Sequence, residues 1–348
     1  MPEFEFSNRK KSLKKILPFF VIGIAIVFLL AAITGVGEIF RAVSQIDKRI
    51  YLLAFIVQVS AITVWLVKWK ILTKAAGLEV GTKRMFPILL SGIFVNTAIP
   101  SAKVGGEPLR AYMFSKIGEV PMDKSFASVA ADRAVDGIPF IFILLVSLPV
   151  IVFAWNLPLY AVILLLIISV FVIIGIISFL YVCLRPKPAR GLIKWLIRRL
   201  RRIISKFRPV KYVERKAESF MKDFGEGAKL IWGSKKHVAS ALTLSSLYWF
   251  LSIFRMWLVF LALGQSVSFG TLGLALALGL ILHMVPIPGG LGLVEGVYIL
   301  IFGAAGIPPG TAFTAAILDR GISFWFTSVF SAGGIAWSGL KLSKSWES

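Results

Sequence analysis

Between Met256 and Leu340 the only charged residues are Glu295, Asp319 and Arg320. Windows such as Ile16–Thr34, Leu157–Leu184 and Val238–Leu263 are apolar over roughly 18 residues or more, enough to cross a ~30 Å hydrocarbon core at ~1.5 Å per residue. Backbone in that core must satisfy its hydrogen bonds internally. The sequence therefore predicts an all-α polytopic membrane protein, and the sites where it departs from apolar helix carry the information.

Composition agrees: 57% of residues are hydrophobic and 16% charged, with mean hydropathy +0.85, whereas soluble domains carry about a quarter charged residues. Cys183 is alone and the histidines are His237 and His283, so neither a disulfide nor a cysteine or histidine metal site is expected, and no cofactor. The net charge of +22 is concentrated rather than spread: residues 185–236 hold 17 lysines and arginines against four acids. Within that loop Leu192, Leu196, Leu200, Ile203 and Phe207 fall at helical spacing opposite Lys194, Arg198, Arg201 and Arg202. This suits an amphipathic helix on an anionic lipid surface, or a plain positive-inside loop, better than nucleic acid.

Basic residues at 9–15 place the start of the chain in the cytoplasm, ahead of an uncleaved first span at about 16–36. A second span, about 50–67, returns to a basic segment holding Lys68, Lys70, Lys74, Lys83 and Arg84. Spans at about 133–154 and 159–184 lead to the basic loop. Residues 85–124 then have both flanks on one side and must form a re-entrant hairpin, broken at Pro100, Gly105 and Gly106. In the second half, spans at about 238–263 and 311–340 bracket a hairpin at 270–306, broken at Pro286, Pro288, Gly289 and Gly290, that enters from the opposite side. Both termini are expected in the cytoplasm, with about six full spans in the cell membrane.

The two breaks match. PSAKVGGE (100–107) and PGGLGLVE (288–295) share the step from proline to glutamate. They are followed by Gly118 or Gly306, Pro121 or Pro309, and Asp132-Arg133 or Asp319-Arg320, 187–188 residues apart. The organisation is a single membrane domain: a basic segment and first span (1–48), repeat 1 (49–155), a linking span and basic loop (156–236), and repeat 2 (237–340). Inverted repeats with interrupted helices point to a transporter with its substrate near the midplane.

Ionised side chains at that depth cost several kcal/mol unless they face a partner or a polar cavity. Neighbouring Asp and Arg diverge by about 100° on a helix, so the pairs are expected to reach the hairpin carboxylates Glu107 and Glu295. Arg110, Arg133 and Arg320 suit phosphate, which guanidinium binds bidentately. Lys103, Asp136 and His283 lie close in sequence to the same features. A purely structural role for these charges is the competing reading.

The motifs NTAIPSAKVGGEPLRAYMF and VPIPGGLGLVEG, each followed by its Asp-Arg pair, resemble the flippase-like membrane family related to the transmembrane domain of lysylphosphatidylglycerol synthase. The resemblance runs from about Ile16 to Leu340. It implies movement of a phospholipid or polyprenyl-phosphate lipid across the bilayer. The chain has no room for the soluble catalytic domain of the bifunctional members, so an enzymatic role is not expected. An intramembrane lipid-modifying transferase, with Glu107 or Asp132 as base, and a membrane scaffold for a partner synthase or glycosyltransferase are the alternatives. A homo-oligomer is compatible with all three. No P-loop is present to supply ATP drive.

Overall fold

The computed structural model describes residues 25–98, 105–154, 159–184, 224–283 and 290–347, with a few single positions between them. Among the described residues the chain is all-helical and holds no strand. In order the helices are α1 (Ala25–Thr34), α2 (Val36–Ser44), α3 (Lys48–Ala75), α4 (Thr82–Ala98), α5 (Gly106–Gly118), α6 (Met122–Ala154) and α7 (Leu159–Leu184). There follow α8 (224–233), α9 (Lys235–Ala262), α10 (Phe269–Leu282), α11 (Leu293–Ala304) and α12 (Pro309–Arg320). A π-helical segment, Gly321–Phe326, joins α12 to α13 (Thr327–Glu347).

The repeat is visible in these boundaries. Helices α3 to α6 begin at Lys48, Thr82, Gly106 and Met122, and α9 to α12 begin 187 residues later at Lys235, Phe269, Leu293 and Pro309. Local chemistry sets several starts. Asp47 caps α3 by accepting from the Arg49 and Ile50 amides at 2.8 and 3.3 Å, Ser268 accepts from Thr271 N at 3.2 Å, and Pro309 takes the first position of α12, where no N–H is needed.

Helices α3 and α9 form the largest contact in the molecule. They run antiparallel: the Asp47 amide donates to Ala262 O at 2.9 Å, Gln58 meets Arg255, and Trp65 packs against Tyr248. The halves are therefore inverted and meet along an approximate two-fold axis. Each half also lends its first hairpin helix to the other. Helix α4 packs on α13, where Ser91 and Ser338 are 3.1 Å apart and a Cβ on Gly334 would sit 2.8 Å from Pro87 O. At the equivalent place α10 packs on α6, and a Cβ on Gly273 would lie 3.0 Å from Ser147 Oγ. Only glycine lets these helices approach so closely.

Among the described residues three helices are long and apolar enough to cross a membrane by length and composition: Lys48–Ala75, Val162–Cys183 and Lys235–Ala262. Helix α7 contributes the middle one. It packs chiefly on α6 and leaves Ile167, Phe171 and Ile174 exposed.

The structure moves several expected boundaries. The stretch between the first two expected spans, residues 38–49, is largely helix α2, set off from α1 by Gly35 at φ 88°, a left-handed conformation that glycine adopts without strain. The second span does not end at 67 but continues to Ala75. Lys68 therefore belongs to the buried face rather than to a cytoplasmic flank. Helix α6 begins eleven residues before the expected 133, so Asp132, Arg133 and Asp136 lie within one helix. The amphipathic run 192–207 and the residues Pro100, Lys103, Pro286, Pro288 and Gly289 lie outside the described residues, apart from Arg199.

Candidate functional site

The charged residues converge where the two halves meet. In the first half, Asp132 is fully buried and held by two hydrogen-bond donors and an ion pair. Trp65 Nε1 donates at 2.9 Å, Arg110 Nη2 at 2.7 Å, and Lys68 Nζ pairs at 3.1 Å. Lys68 also bonds Asp136, whose same oxygen accepts from Ser245 Oγ at 2.6 Å. The Arg110 guanidinium lies 4.6 Å from the Trp69 ring and 5.6 Å from Trp65, a cation–π setting that supports a desolvated charge.

Arg133 leaves the same helix on another side. Its Nε is 2.8 Å from Glu107 Oε1, an ion pair in which the N–H does not point along the bond. Its Nη1 is 3.8 Å from Asp136, and its guanidinium lies 4.6 Å from the Trp65 ring. Asn96, near the end of α4, ties this pair to the hairpin. Its Oδ1 accepts from the Gly106 amide at 2.8 Å and its Nδ2 donates to Glu107 at 3.0 Å. A Cβ on Gly106 would collide with Asn96 and with the Gly92 carbonyl, so the hairpin closes only with glycine there.

The second half repeats the plan with different residues. Arg255 takes the place of Lys68, 187 residues on, and grips Asp319 bidentately at 2.9 and 3.2 Å. Its third nitrogen donates to Gln58 at 2.6 Å, and Gln58 donates to Thr327 at 3.0 Å. Arg320 Nε donates to Glu295 at 3.0 Å, matching Arg133 and Glu107. The other Glu295 oxygen accepts from the Gly292 amide at 2.7 Å, capping α11. His283 stands where the first half has Asn96. Its Nε2 is 3.1 Å from Arg320 Nη1 and its Nδ1 is 2.6 Å from Gly279 O.

A cavity of about 200 Å³ lies between the halves, lined by Trp65, Asn96, Arg133 and Asp136 from one and Arg255, His283, Asp319 and Arg320 from the other. Tyr248, Trp249, Tyr298 and Phe324 add aromatic wall. The expected site residues thus divide by position. Arg133, Asp136, His283, Asp319 and Arg320 line the cavity. Glu107 and Glu295 stand directly behind the arginines, while Asp132 and Arg110 are buried supports. Gly105 and Gly106 begin α5; Gly290 has φ 64° in the second break.

Sequence reasoning missed Lys68, Arg255, Gln58 and Asn96. The 187-residue offset was the signal that could have found the first two, because it maps Lys68 onto Arg255 as it maps Asp132 onto Asp319. Counting the cluster gives Lys68, Arg110, Arg133, Arg255 and Arg320 against Glu107, Asp132, Asp136, Glu295 and Asp319. Among the described residues the site is electrically balanced. Its arginines are therefore available to an anion only by exchanging partners, not as vacant cations. That consequence was not legible from residue types alone.

The family model described as the Lysylphosphatidylglycerol synthase TM region matches residues 19–331. A UPF0104 membrane protein of Methanothermobacter thermautotrophicus is 30% identical over 325 residues, covering 93% of this chain and 96% of the relative. UPF0104 membrane proteins of Pyrococcus horikoshii and Methanocaldococcus jannaschii are each 28% identical, covering 90% and 86% of this chain and 94% and 89% of their own.

Proposed function

Because the chain belongs to the lysylphosphatidylglycerol synthase TM region family, we propose that it carries a phosphate-bearing lipid headgroup across the membrane through the cavity between its halves. The observation that supports this reading most is the makeup of that cavity. It is lined by arginines from both inverted halves, and one of them, Arg133, keeps 32% of its side chain exposed. A volume of about 200 Å³ is the room of about seven waters at ~30 Å³ each. That space admits a headgroup and leaves acyl chains in the surrounding lipid. Aromatic walls give the headgroup's carbon skeleton an apolar surface, while Arg133 and Arg320 supply planar donors for phosphate oxygens.

Exchange of partners makes such binding reversible. Arg133 is held by Glu107 without a directed hydrogen bond and by Asp136 at 3.8 Å, so a phosphate can compete for it. A site that bound the anion with unopposed cations would hold it too tightly to release it.

The test is a vesicle assay with a phospholipid labelled near the headgroup and a membrane-impermeant quencher. Protein-containing vesicles are expected to expose inner-leaflet lipid that empty vesicles protect. Arg133→Ala and Arg320→Ala should abolish exposure while the protein still purifies as a single species. Exposure by both variants at the wild-type rate would sink the reading.

A further inference from the structure

The balance of charge and the placement of His283 carry one step more, which rests on the reading above. Arginine has donors and no acceptor, so the Arg320–His283 contact at 3.1 Å can exist only if His283 Nε2 offers its lone pair. The ring proton then sits on Nδ1 and is donated to Gly279 O at 2.6 Å. Both nitrogens are accounted for, and the ring is neutral.

Among the described residues the charged and titratable groups around the cavity are Arg133 and Asp136 on α6, Tyr248 and Arg255 on α9, Tyr298 on α11, and Asp319 and Arg320 at the end of α12, with Glu107 behind Arg133 and Glu295 behind Arg320. The cations and carboxylates among them are committed to one another, so a phosphodiester brings an uncompensated negative charge into a balanced site. Such burial is costly without a counter-charge. Protonating a carboxylate would break an ion pair. Protonating His283 breaks no ion pair among the described residues; it gives up the hydrogen bond from Arg320, which the phosphate oxygens replace.

We propose that the site takes up a proton together with the anionic headgroup, and that His283 Nε2 is where the proton binds. When Arg320 Nη1 turns from the ring to the phosphate, the Nε2 lone pair becomes free and forms an N–H bond with a proton from water. The resulting imidazolium balances the single negative charge of a phosphodiester. One proton then accompanies one lipid, and the combined movement is electroneutral. The first half has no such group, because Asn96 occupies the equivalent position.

The binding test uses purified protein in weakly buffered detergent near neutral pH, titrated with short-chain phosphatidylglycerol while a pH-indicator dye is read. Wild type should take up about one proton per lipid bound, and no uptake on binding overturns the proposal. His283→Asn, which installs the residue of the other half, and His283→Gln should bind lipid more weakly and, at saturating lipid, with no uptake; uptake by either rules out His283 as the acceptor. In vesicles, a pH difference of one unit should shift the steady-state leaflet distribution of labelled phosphatidylglycerol toward the alkaline side by up to about tenfold, the factor that corresponds to ~1.4 kcal/mol. A membrane potential alone should leave it unchanged. Movement that ignores the pH gradient or follows the potential refutes coupling and leaves the proposed function standing. No movement in any condition removes the proposed function, while the proton titration still decides the binding step.

Discussion

In the first half Arg133 and Glu107 keep 32% and 18% of their side chains exposed; in the second the equivalent Arg320 and Glu295 keep 4% and 1%. The residues behind them differ as well. Lys68 serves two carboxylates, Asp132 and Asp136, where Arg255 serves Asp319 and borrows Gln58 from the opposite half. Asp136 has only Ser323 as its counterpart, and the long helix that stays regular through Asp136 in α6 becomes π-helical directly after Arg320. The halves share a scaffold and a set of ion pairs, yet one pair is partly exposed and the other is almost fully buried at the cavity wall. The shared plan sets where the charges are placed; the residues that differ between the halves go with the difference in exposure.

The largest expected effect separates the buried supports. Lys68→Met leaves Asp132 and Asp136 short of a cation, and breaking a buried pair of this kind costs roughly 3–5 kcal/mol. Arg255→Met leaves Asp319 without a cation among the described residues, whereas after Lys68→Met Asp132 keeps Arg110 and Asp136 keeps Arg133, so the Arg255 loss should be the larger. Unfolding in detergent, followed by intrinsic fluorescence, compares the two. Equal losses would mean that Arg110 and Arg133 do not make up for the missing Lys68.

Next come the hairpin glycines. Gly106→Ala drives a methyl into Asn96 and the Gly92 backbone, an overpacking that costs about 1–3 kcal/mol. At Gly279 the nearest obstacle is the Tyr298 side chain at 3.2 Å. Alanine's helix propensity, ~1 kcal/mol better than glycine's, should roughly offset that contact. The same unfolding measurement reads both, and a Gly279→Ala loss as large as that of Gly106→Ala would show the second hairpin to be as tightly closed as the first.

The smallest effect is on accessibility. With Cys183 replaced by serine, Arg133→Cys should react with a charged thiol reagent several times faster than Arg320→Cys, in line with their exposures. Reaction of both positions at the same rate would show that the buried pair opens on the time scale of labelling.

Much of this arrangement was readable beforehand. The P…E…DR series located the repeat, the divergence of adjacent helical residues implied that Arg133 and Arg320 reach Glu107 and Glu295, and the charge pattern implied opposed hairpins. What escaped were partners whose own surroundings disguised them. Lys68 sits among Lys70, Lys74, Lys83 and Arg84, so counting positive charge absorbed it into a flank; only its distance from Asp132 in space reveals a buried cation. Arg255 carries no neighbouring acid in sequence, since Asp319 lies 64 positions away. Asn96 is a neutral amide whose importance lies in two directed hydrogen bonds, which residue type does not announce.

Helix α7 has an effect out of proportion to its sparse contacts. Helix α6 runs antiparallel to α3, as Trp65–Asp132 and Trp69–Ser128 show, and parallel to α9, as Asp136–Ser245 and Phe140–Trp249 show. A copy of the first unit joined directly to the end of α6 would begin on the same side as the original and stand the same way up. The return stroke supplied by α7, packed on α6, carries the chain back toward the end of the helix stack at which α9 begins. It acts as a parity element: without it, the same two halves would be translational copies, and the two-fold cavity between them could not exist.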